Sequence, residues 1–215
     1  MTKYYAERGE DKFCDELGVL PSNGFFVDVG CAWPFLNSTT AFLRDKGWVG
    51  ASIDGDDSYA KQWDGVAPFT HCVVNDGCAV RFEKNGVPEL SRISENGELV
   101  NSRRLDDLLQ YSPPVDFLAV DVEGSEFDVL QTFDWSKQHP LIVIAEHSMW
   151  TPDGVQRDER VREMLEKLGY SVNLENESNY VFRKMKPITA KDLSRIYKSM
   201  FGPTATFFDI AEDQV

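Results

Sequence analysis

The stretch GFFVDVGCAWPFLNSTTAFL (24–43) begins as an apolar run, breaks at Asp28-Val29-Gly30, and resumes in polar capping residues ahead of Ala41-Phe42-Leu43. A run apolar through most of its length reads as a strand buried on both faces. Asn37, Ser38 and the two threonines are capping residues and Gly47 is a stop, so a helix is expected over 37–47. Strand, glycine turn and helix is how many nucleotide and cofactor sites begin. The second and third glycines of a G-x-G-x-x-G fingerprint are absent here, and Trp33 and Pro34 crowd the loop.

Outward from that turn, strand and helix patterns alternate. Upstream, AERGEDKFCDELG (6–18) sets Phe13 and Leu17 four apart before Gly18, which predicts a short helix. Downstream, WVGASID (48–54) and FTHCVVND (69–76) read as the second and third strands, and AVRFEKNG (79–86) as one arm of a hairpin. SRRLDDLLQY (102–111) predicts a short helix, VDFLAVDVEG (115–124) a buried strand ending in acids and glycine, and SEFDVLQTFDW (125–135) a helix. LIVIAEH (141–147) is a further strand, and VQRDERVREMLEKLG (155–169) an amphipathic helix with a glycine stop. YSVNLEN (170–176) and NYVFRK (179–184) pair antiparallel around Glu177-Ser178, and TAKDLSRIYKSMFG (189–202) is a last helix. The alternation predicts an α/β fold with a mostly parallel, doubly wound sheet, helices on both faces and an antiparallel C-terminal hairpin. One domain is expected: a helical cover over 1–23, a Rossmann-like core over 24–184, and a C-terminal helix and acidic tail over 185–215.

In such sheets ligands bind beyond the carboxyl ends of the strands, where strand order reverses. Three strands end there in acids: Asp28, Asp54 and Asp121. Gly30 permits a sharp turn and close approach of a ligand. Asp54 follows it by 24 residues, near the spacing of an acid that accepts hydrogen bonds from ribose hydroxyls. A pyrophosphate needs the missing glycines and a free helix N-terminus. A nucleoside without phosphates does not, and S-adenosylmethionine is one, with cationic sulfonium and amino groups that suit acids.

The 215 residues carry 36 acids against 22 bases, a net charge of −14, which opposes phosphate backbones, so no nucleic-acid partner is expected. The four cysteines contain no Cys-x-x-Cys pair, and His71, Cys72 and Cys78 lack zinc-ligand spacing. Buried free thiols in a reducing compartment follow. The first 13 residues lack an apolar signal core, and no run approaches 18 apolar residues. A cytoplasmic protein without a membrane partner, monomeric or homodimeric, is the expectation.

ERGEDKF (7–13), residues 24–54, RRLDDLL (103–109) and VDFLAVDVEGSEFDVLQTFDW (115–135), in this order, resemble the FkbM family of S-adenosylmethionine-dependent methyltransferases. DVEGSEFDVL (121–130) is the most specific piece, and the resemblance runs from about Gly9 to His147. It implies a Rossmann-like, seven-stranded fold and methyl transfer to a hydroxyl, often on a sugar or polyketide. It places Asp28 and Gly30 in the first cofactor motif, with Cys31 and Ala32 in the loop that meets the cofactor. Asp54 becomes the ribose acid, Asn75 or Asp76 faces the adenine, and Asp121 lies beside the methionine moiety. Ala32 and Trp33 depart from the commoner glycine-rich loop.

A hydroxyl is a poor nucleophile near neutral pH, so a positioned base or a metal should assist it. Asp121, Glu123, Glu146 and His147 fall at the ends of two strands adjacent in this fold. His147 is the natural base by its ordinary pKa, with Glu123 and Glu146 as the other catalytic candidates. Asp121, Glu123 and Glu146 also offer oxygen ligands to Mg2+. Strand alternation separates Glu146 from His147, so the strand is expected to end before Glu146 and free His147. Glu126 and Asp128 suit the first turn of their helix electrostatically, while Glu10 and Asp11 either close over the cofactor or stand as exposed helix charges. The expected acceptor is a small molecule or glycan. A ribose 2′-O-methyltransferase acting on RNA, a nicotinamide-dependent oxidoreductase and a cofactor-binding module without catalysis are the competing readings. The absent fingerprint weighs against the oxidoreductase, and the lack of lysines beside the strand-end aspartates against the RNA enzyme.

Overall fold

The computed structural model describes residues 2–151 and 154–185. In chain order the elements are α1 (Glu10–Glu16), β1 (Phe25–Val29), α2 (Ala41–Asp45), β2 (Val49–Asp54), β3 (Phe69–His71), β4 (Val73–Val74), β5 (Ala79–Glu83), β6 (Arg92–Ile93) and β7 (Glu98–Arg103). They continue as α3 (Leu105–Leu108), β8 (Phe117–Val120), α4 (Glu126–Gln131), β9 (Ile142–Glu146), β10 (Ser148–Thr151), β11 (Gly154–Arg157), α5 (Glu159–Lys167), β12 (Tyr170–Glu175) and β13 (Asn179–Lys184).

Seven strands form the main sheet in the order β12-β13-β9-β8-β1-β2-β3. The five from β9 to β3 are parallel, and β13 and β12 complete the sheet antiparallel. This is a Rossmann-like, doubly wound arrangement. Alternation along each strand splits the core in two. Val27, Val29, Leu118, Val120, Val143 and Ala145 pack on the side of α3, α4 and α5. Phe26, Phe117, Ala119, Ile142 and Ile144 meet α1 and α2 on the other. Buried side chains of this size contribute about 1.5–3 kcal/mol each, which makes the register of the central strands costly to change.

Several boundaries differ from the sequence reading. Residues 69–76 break at Cys72: β3 ends the main sheet, while β4 joins a four-stranded sheet in the order β4-β7-β5-β6. The expected helix over 37–47 is confined to α2, because the Ser38 hydroxyl accepts the Ala41 N–H at 3.1 Å and ties the preceding residues into a turn. Ser102 and Arg103 end β7 instead of opening α3. Residues 155–157 form strand β11 against β10, and α5 starts only after Asp158 caps it by accepting the Arg160 N–H at 3.0 Å. The helix expected over 189–202 lies outside the described residues. Among the described residues, no helix is long and apolar enough to cross a membrane.

Candidate active site

Strand order reverses between β1 and β8, and a cavity of about 360 Å³ opens at their carboxyl ends. Asp28, Gly30, Cys31, Ala32, Asp54, Asp121, Glu123 and Glu146 all line it. Asn75 and Asp76 do not. They border a separate open groove with Arg104 and Phe127, because the chain leaves the main sheet at Cys72, and Cys72, Val73 and Val74 face the cavity in their place.

The glycine turn is built by close contact. Gly30 has φ +80°, and a Cβ there would stand 1.5 Å from the Asp121 carbonyl oxygen. The Gly30 N–H donates to the Ile53 carbonyl at 2.8 Å, and Asp121 N–H donates to Val29 at 2.9 Å, so β2, β1 and β8 meet at this point. Ala32 also has a positive φ, 42°. Its N–H donates to Asp54 Oδ2 at 2.9 Å, the Asp56 N–H donates to Oδ1 at 2.8 Å, and the Trp63 ring N–H holds the Ala32 carbonyl at 2.9 Å. The acid expected to grip ribose thus also fixes the loop. Burial raises the Asp54 pKa to about 6 against the opposing pull of those N–H groups. Asp28 is buried and accepts the Thr40 hydroxyl at 2.5 Å. Burial raises its pKa, while Thr40 and the nearby Arg44 act in the other direction.

One oxygen each of Asp121, Glu123 and Glu146 lies within 4.8 Å of the others. Asp121 is exposed to the cavity, and the protein packed around that cavity still desolvates its carboxyl. Burial, then repulsion from Glu123, raises its pKa; burial, then Asp121 and Glu123, raises that of Glu146. Burial and Glu126 lift Glu123 to about 7. Glu146 Oε1 accepts the Ser148 hydroxyl at 3.1 Å, and Oε2 meets no donor among the described residues. Asp121 and Glu146 repel each other as ions, which favours the protonated form of the pair.

His147 is not with these acids. Strand β9 keeps Glu146, so alternation turns His147 to the opposite face, where it is 1% exposed and packs its ring 4.1 Å from that of Tyr180. Its Nε2 meets the Asn176 carbonyl at 3.2 Å, and burial lowers its pKa. The expectation that the strand stops before Glu146 fails because Glu146 pairs with Asn179 across β13.

Glu10 and Asp11 are buried and do not stand as exposed helix charges. Glu10 is a buried cavity residue whose Oε1 accepts from the side-chain amides of Asn176 at 2.7 Å and Asn179 at 2.9 Å, docking α1 beside Glu146. Asp11 is buried too, and binds the N–H groups of Tyr5 at 2.5 Å and Ala6 at 3.1 Å. The signal was present in their place at the start of a helix whose other face is apolar. The amides that meet Glu10 come from 166 and 169 residues away and left no local trace. Across the mouth, the Trp33 ring N–H donates to Glu89 at 2.5 Å.

The model of the methyltransferase FkbM domain matches residues 49–172, more than half of the chain. The chain belongs to the FkbM methyltransferase family. The match covers the acid-bearing ends of β2, β8 and β9, begins after the glycine turn, and continues past His147 to β12. No curated protein matches the chain. Among solved structures, precorrin-6Y C5,15-methyltransferase from Geobacter metallireducens is 9% identical at a TM-score of 0.47, covering 86% of this chain and 94% of that one. A SAM-dependent O-methyltransferase from Thermotoga maritima is 12% identical at 0.45, over 87% of this chain and 68% of its own. A SAM-dependent methyltransferase from Aquifex aeolicus is 16% identical at 0.40, over 81% and 88%. Similarities this distant add nothing to the strand order, which itself gives the fold of this FkbM domain.

S-adenosylmethionine-dependent methyl transfer is the activity class of an FkbM domain, and the cavity fits that cofactor. Its volume lies in the range of small-ligand sites, roughly 300–1,000 Å³. Its lining holds eight carboxylates against one arginine, Arg8, which is itself paired with Glu177 at 2.6 Å, as suits a ligand carrying sulfonium and ammonium charges.

Proposed function

We infer that this FkbM domain methylates a hydroxyl oxygen of a sugar, glycan or other small metabolite. The observation that carries the reading is the convergence of Asp121, Glu123 and Glu146 on the cavity beside the glycine turn. S-adenosylmethionine supplies an electrophilic methyl carbon on a sulfonium. Asp54 would accept from its ribose hydroxyls, and Asp28, Asp121 and the turn from Gly30 to Ala32 would line its amino-acid end. The acceptor hydroxyl must lose its proton as its oxygen takes the methyl, so a carboxylate at the acceptor supports the step. Glu123 is that base in this reading. Glu146, oriented by Ser148, accepts the acceptor's hydrogen bond or hands a proton to Asp121. Holding oxygen, methyl carbon and sulfur in line supplies most of the remaining acceleration.

The carboxylates of the lining repel phosphates, which favours uncharged hydroxyl acceptors over RNA. Mg2+ bound by Asp121, Glu123 and Glu146 is the second reading, favoured by Glu146 Oε2, which has no donor among the described residues. Incubation with methyl-tritiated S-adenosylmethionine and a panel of sugars, glycans and polyketides tests both. Label in a hydroxyl of a neutral acceptor supports the proposal, and label only in RNA or amines overturns it. Full turnover after exhaustive chelation would remove the metal reading.

A further inference from the structure

Glu126 opens α4, yet its side chain turns back onto the loop before the helix. Its Oε1 accepts the N–H of Val122 at 2.8 Å and that of Gly124 at 3.1 Å, and the residue is 2% exposed. Between these two donors sits Glu123, with φ 58°, followed by Gly124 with φ 103°. A glutamate in the left-handed region persists only where its surroundings over-determine the backbone. Among the described residues, the one side chain bridging both neighbours of Glu123 is that of Glu126. The left-handed turn keeps Val122, Glu123 and Ser125 on the cavity wall. Electrostatic support of α4 does not account for this arrangement, since both donors precede the helix and Asp128 already supplies negative charge to its first turn.

We propose that Glu126 is a positioning residue for the acceptor site: it clamps the Val122 and Gly124 amides and so holds Glu123 in the left-handed turn that faces the cavity. The functional part rests on the reading of Glu123 as the base; the clamp itself does not.

A thermodynamic cycle on the full chain tests the clamp without knowledge of the acceptor. Glu126→Ala and Glu126→Gln are melted in the wild-type background and in a Glu123→Gly background, where glycine adopts positive φ without strain. In the wild-type background Glu126→Ala should lower the melting temperature by several degrees. Glu126→Gln retains a carbonyl acceptor and should recover more than half of that loss. In the Glu123→Gly background the loss from Glu126→Ala should shrink to about half or less, as for two coupled residues. Calorimetry should find S-adenosylhomocysteine affinity within about twofold of wild type in Glu126→Ala, since the clamp serves the acceptor side. Equal losses in both backgrounds, or no recovery with glutamine, would overturn the clamp. Absence of S-adenosylhomocysteine binding in the wild type would overturn the cofactor assignment, while the coupling measured between Glu126 and Glu123 would still decide the clamp.

Discussion

Each oxygen of the Asp54 carboxylate accepts one backbone N–H and keeps a further lone pair. Asp54→Ala should therefore weaken S-adenosylhomocysteine binding by about 10- to 100-fold, the loss of a hydrogen bond to a charged group, about 1.5–3 kcal/mol. Calorimetry checks it, and wild-type affinity in Asp54→Ala would remove the ribose assignment. Affinity should also rise as pH increases through about 6, where the buried carboxyl ionises and becomes the stronger acceptor. Turnover should climb through about pH 7 as Glu123 ionises, and Glu123→Gln should abolish that limb along with at least about 10²-fold of kcat. At this scale the acids were legible because strands and glycines mark where the sheet edge falls. His147 was misread for a physical reason. Period two separates positions 146 and 147 but does not say which faces the ligand; the neighbouring strand β13 decides that through Tyr180, far along the chain.

Among elements, the turn after β1 is the tightest joint. Gly30→Ala would drive a Cβ into the Asp121 carbonyl and force an unfavourable φ, so it should cost at least about 2 kcal/mol in denaturant unfolding and weaken cofactor binding together. Asp158→Ala removes the cap of α5 and should cost about 1 kcal/mol while S-adenosylhomocysteine affinity stays unchanged, since α5 contributes nothing to the cavity lining. A loss of affinity in that variant would contradict the separation of α5 from the site. The long apolar strands and α1 were readable from pattern alone. The break at Cys72 was not, because residues 69–76 are uniformly strand-like and only the partner β7, placed by later sequence, draws Val73 and Val74 into a second sheet. Residues 155–157 were absorbed into a helix because their polar-apolar pattern fits both periods, and pairing with β10 settles the choice.

For the molecule as a whole, net charge and buried acids act in the same direction. Glu123 and Glu126 hold their protons up to about 7 in the folded chain, whereas unfolded carboxyls release theirs near about 4.3. Between those values the native state binds more protons than the unfolded state, so stability falls as pH rises from about 4.3 to 7. Growing self-repulsion of a chain at −14 adds to the fall. Melting temperature should thus be higher at pH 5 than at pH 8, and the opposite order would contradict the protonated cluster. The mostly parallel, doubly wound sheet was legible from the alternation of elements, while the closing contacts of α1 with Asn176 and Asn179 depended on packing at long range. On this account the cavity at the β1–β8 edge receives S-adenosylmethionine beside a turn that lacks the glycines of a pyrophosphate cradle. Parallel calorimetric titrations of the wild-type chain with S-adenosylhomocysteine and with NADH test it most directly. One-to-one binding of S-adenosylhomocysteine with no heat from NADH is expected; tight NADH binding without S-adenosylhomocysteine binding would contradict it.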